Sequence, residues 1–470
     1  MATYDYDLAI LGGGSAGLTA AKVSRFFAKR TAVIDKDRLG GDCLHYGCVP
    51  SKALIKASRV AHEARTADRW GLRCELGEVS LAAVNATVRK AIAEIGALDS
   101  PEELAEIGVD VLLGGARFVD DHTLAVGEQR ITARYVLIAT GSGPATPDVP
   151  GLAEVGPLTN EDVFDLQDLP ARMAVVGGGP IGVELAQAFA RLGSQVTVLQ
   201  RGPHLLPRDD PDMIDLLERR FAEEGIDVRY RAALRSAHRE GGDTVLTIGD
   251  EELRTDAVLV ATGRSIDTSG LGLEAAGVAV GPRGEIVVDE QLRTSVPHIL
   301  AVGDVVGGPQ FTHYAGYQAA HAVRNIFVPV AAKFDVGNLP WVTFTDPEIA
   351  HVGLTEPQAR DAGVEFKVVR FPYSRNERAV TDGEPYGLIK LLVNDKRRLI
   401  GAHIAGYAAG ELINELTLAM NNDLTVDAVL GSIHAYPTFS LGMQIALYDH
   451  VLTDDPSRGA RLGRFLARLR

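Results

Sequence analysis

Two short apolar runs in this chain lead straight into the same glycine spacing, and that repetition constrains the fold more than any other feature. Asp7-Leu-Ala-Ile-Leu11 runs into Gly12-Gly13-Gly14-Ser15-Ala16-Gly17, a helical pattern follows from Leu18 to Lys29, and Thr31 to Asp35 reads as the next strand. Met173 to Val176 runs into Gly177, Gly179 and Gly182, with a helical pattern through Arg191 and a further strand over Val196 to Leu199. Strand, G-x-G-x-x-G turn, helix and strand make a βαβ unit. Its glycines let the backbone turn tightly and approach a pyrophosphate, which the helix N-terminus attracts through its partial positive charge. Gly12, Gly14 and Gly17 therefore predict one dinucleotide site, and Gly177, Gly179 and Gly182 a second.

The residue closing each unit distinguishes the two sites. Eighteen residues past Gly17 stands Asp35, whose carboxylate can accept bonds from a ribose diol; eighteen past Gly182 stands Gln200, followed by Arg201. Losing the carboxylate removes repulsion toward a 2′-phosphate and a guanidinium can pair with one, so the second site is expected to take NADPH, with NADH the alternative.

The rest of the chain fits around these units. Tyr135 to Gly141 and Ala257 to Gly263 are each an apolar strand ending in Ala-Thr-Gly, and each is expected to close one nucleotide-binding sheet. Pro144, Pro147, Pro150 and Gly151 read as a crossover out of the first domain, and Ser265 to Gly270 as a return, which makes that domain discontinuous. Beyond Gly337 the nucleotide patterns stop. Strand-like runs at Gly387 to Val393 and Leu399 to Ile404 precede a helical pattern from Gly410 to Met420, an α+β arrangement. At about 100 to 200 residues per domain, 470 residues accommodate these parts. The expected boundaries are 1–150 and 270–336 for the first domain, 151–269 for the second and 337–470 for the third.

Charge and composition exclude other classes. With 47 basic and 62 acidic residues, the formal net charge of -15 repels a phosphate backbone, so no nucleic-acid partner is expected. No apolar run approaches the ~18 residues of a spanning helix, and Met1 to Asp7 carries two aspartates where a secretory signal would be basic, which points to the cytoplasm. Three cysteines cannot build a disulfide framework, so any bridge is expected to be redox-active. No metal-ligand set is assigned.

Two of the cysteines stand in Gly40-Gly-Asp-Cys43-Leu-His-Tyr-Gly-Cys48-Val-Pro-Ser-Lys52, just after the first βαβ unit. Pro50 and Ser51 favour a helix start, and a thiolate there is stabilised by the dipole and by Lys52, so Cys48 is expected to be the thiol of lowered pKa. Cys74 has no such surroundings and reads as an ordinary thiol.

Taken together, the Gly41-Asp-Cys43-x4-Cys48-Val-Pro-Ser-Lys52 motif, both fingerprints, the Ala-Thr-Gly strands, Ala301-Val-Gly-Asp304 and Phe344-Thr-Asp-Pro-Glu348-Ile-Ala-His-Val-Gly353 resemble the pyridine nucleotide-disulfide oxidoreductases. Dihydrolipoamide dehydrogenase, glutathione reductase and mercuric reductase belong to that family. The resemblance covers nearly the whole chain. It implies an α/β fold with Rossmann-like FAD- and NAD(P)-binding domains and an α+β dimerisation domain, FAD as cofactor, and a homodimer. By matching positions it implies Cys43 as the thiol that attacks substrate, Cys48 as the thiolate stacked on the flavin, Lys52 paired with Glu184 near the flavin N5, and Asp304 on the ribityl chain. Ala116, Thr140, Gly141, Ser142 and Gly263 join the fingerprint glycines, Asp35, Gln200 and Arg201 as residues expected to contact cofactor. Electrons would pass from nicotinamide through flavin and the Cys43–Cys48 disulfide to a small-molecule or protein-bound acceptor.

One departure bears on that acceptor. Thiol-reducing members carry His-Pro-Thr near the C-terminus with a Glu five residues after the His, and the pair serves the substrate-attacking thiol as acid and base. Here the segment reads Ile433-His434-Ala435-Tyr436-Pro437-Thr438-Phe439-Ser440-Leu441, with Tyr436 in place of the base and Leu441 in place of the Glu. A Tyr of pKa about 10 is roughly one part in a thousand ionised at pH 7, so it donates hydrogen bonds but hardly accepts protons. Losing a positioned base costs about 10²–10⁴ in rate. Mercuric reductases resemble this chain in placing Tyr there, although the C-terminal Phe465-Leu-Ala-Arg-Leu-Arg470 has none of their vicinal cysteines. His434 and His45 are candidate displaced bases. Arg458, Arg461, Arg464, Arg468 and Arg470 alternate with Leu462, Phe465, Leu466 and Leu469 at helical spacing, a pattern able to contact an anionic membrane. The alternatives are therefore a quinone- or membrane-linked diaphorase and a redox-sensing binding protein with little turnover.

Overall fold

A computed structural model of the chain describes residues 3–454, so the arginine-rich segment and its expected membrane contact lie outside the described residues. The described chain forms two compact units, one of residues up to 201 with 232–336, the other of 202–231 with residues from 337 onward. No described helix is long and apolar enough to cross a membrane.

The first unit is built on parallel strands. Tyr6–Leu11 pairs parallel with Thr31–Asp35 on one side and with Gln129–Ile138 on the other; Thr31–Asp35 in turn pairs with Val109–Leu113, and Gln129–Ile138 with Ile299–Ala301. Side chains alternate across a strand, so Leu8 and Ile10 enter one buried apolar cluster while Ala9 and Leu11 enter another. A parallel sheet covered on both faces needs such uninterrupted apolar runs. Ala116–Phe118, Thr123–Val126 and Gln129–Ile138 form an antiparallel meander at its side.

The second fingerprint repeats the plan: Arg172–Val176 lies between Gln195–Gln200 and Ala257–Val260, all parallel. An antiparallel sheet of Leu234–Glu240, Asp243–Ile248 and Glu251–Thr255 precedes its closing strand. The chain leaves the first sheet along Gly143–Pro144 and comes back along Arg264–Ser265, and the two short strands pair antiparallel. The first helix, Ser15–Ser24, is shorter than the pattern to Lys29 suggested: the chain tightens into a 3₁₀ turn over Arg25–Phe27 and Ala28 turns left-handed at φ 51.

The other unit carries a five-stranded antiparallel sheet in the order Trp341–Thr343, Glu348–Gly353, Leu399–Gly406, Leu388–Asn394, Phe366–Pro372, with helix Ala409–Asn421 among the elements sharing its core. Lys390, in the middle of an apolar strand, is buried with Asp210 at 2.8 Å, Glu356 at 2.8 Å and Asp212 at 3.0 Å, which ties the 202–231 segment to this sheet. A lysine is tolerated there only because carboxylates face it.

Candidate active site

Each fingerprint has the same geometry. Gly12 turns with φ 103, and a Cβ on it would lie 2.4 Å from the carbonyl oxygen of Ala139; Gly177 turns with φ 118 and would meet the carbonyl oxygen of Ala261 at 2.3 Å. The Ala-Thr-Gly strands thus end against the first glycine of each fingerprint, which is why both recur. Gly17 and Gly182 have no room for a side chain either, being 1.8 and 2.0 Å in Cβ terms from the carbonyls of Gly12 and Gly177. Around Gly179 a Cβ would meet nothing within 4 Å, and Gly14 touches only Gly41. Glycines at Gly14 and Gly179 leave bare backbone at the N-termini of helices Ser15–Ser24 and Pro180–Leu192, where no side chain caps the helix. This is the cradle a pyrophosphate needs, and the residues fit FAD and a nicotinamide dinucleotide.

The two residues that close the units occupy equivalent places. The Asp35 carboxylate accepts from the amide of Gly13 at 2.7 Å, and the Gln200 side-chain oxygen accepts from the amide of Gly178 at 3.2 Å. Arg201 is exposed beside Gln200.

The cysteine segment is fastened to the first fingerprint. The amide of Gly40 donates to the carbonyl of Gly13 at 2.8 Å, and Gly41 packs directly on the backbone of Gly14. Cys43 then lies in the short helix Gly41–His45, and Cys48 is the first residue of helix Cys48–Arg65. Both are free thiols, and Cys48 Sγ lies 3.3 Å from Thr312 Oγ1 at the start of helix Thr312–Phe327. Ser15, at the start of the first helix, hydrogen-bonds Cys43. Three helix N-termini therefore converge on the sulfur pair, a field that favours a thiolate.

The thiol that ends up lowered is not the one expected from the sequence. Cys43 is the lowered one, at about 6, chiefly through the hydrogen bond from Cys48 and also through Thr312 and Ser15. Cys48 is raised instead, first by its bond to Cys43 and then by burial, and the attraction of Lys52 is too weak to reverse this. Two adjacent thiols lose one proton easily and the second with difficulty, because the second thiolate would face the first.

Other expected residues come together across long sequence gaps. Lys52 Nζ lies 2.9 Å from Glu184 Oε2, with the Glu184 side chain 6% exposed. Ser142 Oγ donates to Asp304 Oδ2 at 2.6 Å. Ala116 stands at the start of the meander, Thr140, Gly141 and Ser142 follow the strand that ends on Gly12, and Gly263 precedes the returning strand.

Sequence reasoning missed Arg264, which organises this region. It donates to Ser142 Oγ at 2.8 Å and to the Ser142 carbonyl at 2.7 Å, and it lies 3.2 Å from Asp42 and 3.5 Å from Asp304. Asn160 donates to Asp42 at 3.0 Å and to the carbonyl of Tyr46 at 3.2 Å, which fixes the turn between the cysteines. Arg264 follows an Ala-Thr-Gly and could have been found by its place; Asn160 and Thr312 carry no local signal.

Neither displaced base presents itself. Both ring nitrogens of His434 face oxygens, Glu415 Oε1 at 2.8 Å and the carbonyl of Ser432 at 3.1 Å. His45 bonds the carbonyl of Leu39 at 2.7 Å, and its pKa is lowered by burial. Tyr436 is 71% exposed and Leu441 begins the helix Leu441–Asp454.

Comparison with known proteins fits this geometry. Residues 6–319 match the pyridine nucleotide-disulphide oxidoreductase family, and 339–446 match its dimerisation domain. The chain belongs to this family. It is 36% identical to a mercuric reductase of Staphylococcus aureus over 94% of this chain and 82% of that one, and 33% identical to a dihydrolipoyl dehydrogenase of Chlamydia pneumoniae over 93% and 95%. Among solved structures, the HOCl-induced flavoprotein disulfide reductase RclA from Escherichia coli superposes with a TM-score of 0.87 at 28% identity, over 94% of this chain and 99% of that one. The protein is thus a flavin-linked disulfide oxidoreductase, with a cysteine pair and, among the described residues, no clear catalytic His-Glu pair. Family membership implies FAD and NAD(P)H, and the dimerisation domain supports a homodimer.

Proposed function

We propose that this oxidoreductase is an NADPH-dependent homodimer whose electron acceptor is a soft, thiol-binding metal ion. When bound, FAD supplies the two-electron exchange between nicotinamide and the sulfur pair. Gly12, Gly14, Gly17, Asp35, Ala116, Thr140, Gly141, Ser142 and Asp304 would hold it. Gly177, Gly179, Gly182 and Gly263 would hold the nicotinamide dinucleotide, with Gln200 and Arg201 favouring a 2′-phosphate. Lys52, paired with Glu184, keeps a cation beside the cysteine helix. Cys43, lowered to about 6, is mostly thiolate at neutral pH and is the sulfur that engages the acceptor.

The observation that carries this reading is the replacement of the base in the segment that supplies one to thiol-reducing members. Tyr436 stands there, and both nitrogens of the neighbouring His434 face oxygens. Reduction of a disulfide needs protons delivered to the leaving thiolate; a metal ion held by thiolates does not. The 36% identity to a mercuric reductase supports the same choice.

The test is NADPH oxidation by the holoenzyme with Hg²⁺ or Cu²⁺ presented as thiol complexes, compared with oxidised glutathione, lipoamide and menadione. Metal turnover at least about a hundredfold above both disulfides is expected, and it should vanish in Cys43→Ser. Comparable disulfide turnover, or metal turnover that survives Cys43→Ser, would overturn the proposal. Menadione as the fastest acceptor would favour the diaphorase instead.

A further inference from the structure

Away from the nucleotide sites, the first unit brings together donors that lie far apart in sequence. One nitrogen each from His122 and His298 and a carboxylate oxygen of Asp121 all lie within 4.8 Å of one another. We propose that Asp121, His122 and His298 form a binding site for a divalent first-row cation of the zinc and cobalt type, distinct from the cysteine pair.

The placement follows from the fold. Asp121 and His122 sit in the turn between strands Ala116–Phe118 and Thr123–Val126, and His298 directly precedes Ile299–Ala301. Parallel strands Tyr6–Leu11 and Ile299–Ala301 begin at this end of the sheet, whereas Gly12 and Asp304 follow their opposite ends. The turn is itself fixed: the Asp120 carboxylate accepts from the amides of His122 at 2.9 Å and Thr123 at 2.7 Å.

The hydrogen bonds prepare His122 as a ligand. Its Nδ1 donates to the carbonyl of Ala133 at 2.8 Å, which leaves Nε2 with the lone pair, 3.4 Å from the Tyr4 hydroxyl. An imidazole that donates one N–H to a backbone carbonyl and offers the other nitrogen is the usual state of a metal-ligating histidine. His298 Nε2 donates to the carbonyl of Asp121 at 2.9 Å and lies 3.5 Å from its carboxylate, so it ligates only once that bond is released. Two imidazoles and one carboxylate, without thiolate, suit zinc and its neighbours, and leave room for water as a fourth ligand.

Loading the site requires a small movement. The two rings are stacked with centroids 3.9 Å apart and planes 11° from parallel, and an ion must lie near both ring planes, so the rings must splay. Two bonds of about 2.0–2.1 Å span at most about 4 Å, so the ligand atoms must also draw together. The Asp121 side chain is 50% exposed and can adjust, whereas that of His298, 21% exposed, must give up its bond to the Asp121 carbonyl as it turns.

The test uses tag-free, flavin-loaded Cys43→Ser/Cys48→Ser protein, so that the sulfur pair cannot bind the probe. Co²⁺ is followed by its visible absorption and Zn²⁺ by calorimetry. One equivalent should bind, and His122→Gln, His298→Gln and Asp121→Asn should each weaken it by at least about tenfold with flavin content unchanged. Asp121 is half-exposed, so its variant keeps the test valid if either histidine variant fails to fold. Absence of binding in the Cys43→Ser/Cys48→Ser protein, or one equivalent indifferent to all three substitutions, would overturn the proposal.

Discussion

Removing the Thr312 hydroxyl should raise the pH at which the reduced sulfur pair becomes nucleophilic. Thr312 Oγ1 lies 3.3 Å from Cys48 Sγ and also bonds Cys43, so its hydroxyl can donate to whichever sulfur carries the charge. A hydrogen bond to a charged group contributes roughly 1.5–3 kcal/mol, and one pKa unit corresponds to about 1.4 kcal/mol, which gives about one to two units. Cys43, the sulfur that titrates first, is only half-buried, so water replaces part of the lost bond and the lower end applies. From about 6, Thr312→Val should therefore move the first titration to roughly 7. At pH 6 the thiolate fraction falls from one half to about one tenth, so iodoacetamide alkylation of the anaerobically reduced holoenzyme should slow about fivefold. The rates should converge by about pH 9, and Thr312→Ser should keep the original profile. A Thr312→Val profile that superposes on the parent, or one slowed equally at every pH, would refute the reasoning.

Two further predictions concern proton handling. Tyr436→His with Leu441→Glu should raise disulfide turnover and introduce a rate dependence near pH 6.5, since a histidine titrates there; an unchanged pH–rate profile would show that the missing dyad is not what limits thiol chemistry. Asp209 is buried and accepts from the Trp341 indole at 2.9 Å; burial raises its pKa to about 6. Because this lies above the unfolded value of about 3.9, the native state binds the extra proton, and its stabilisation is full below pH 4 and lost as pH rises through 6. Asp209→Asn keeps the acceptor without the charge, so its stability relative to the parent should rise between pH 4 and 7, by at most about 3 kcal/mol, in thermal unfolding; a difference constant with pH would refute it.

The two βαβ units were legible because everything that makes them is local. Alternating faces, helical period and glycine spacing lie within about thirty residues, and backbone sterics enforce them wherever the chain goes. Boundaries were less legible: the first helix stops at Ser24 because Ala28 turns left-handed, and no pattern in the apolar residues announces that. Lys390 could not be placed from an apolar strand, since its burial depends on Asp210, distant by 180 residues.

What the sequence determined by itself was the set of parts: two nucleotide cradles, one cysteine pair, one segment in which Tyr436 replaces a base. The tertiary structure decided what those parts do to one another. Which sulfur is the more acidic depends first on how Cys43 and Cys48 face each other, while Thr312, 264 residues from Cys48, and Ser15 bond the lowered sulfur. The Arg264 network and the His122–His298 cluster arise in the same way, from strands that pair regardless of sequence distance. Covalent order controls dihedral preference and periodicity, but electrostatic fields and ligand geometry act through space, and only the folded chain sets those distances.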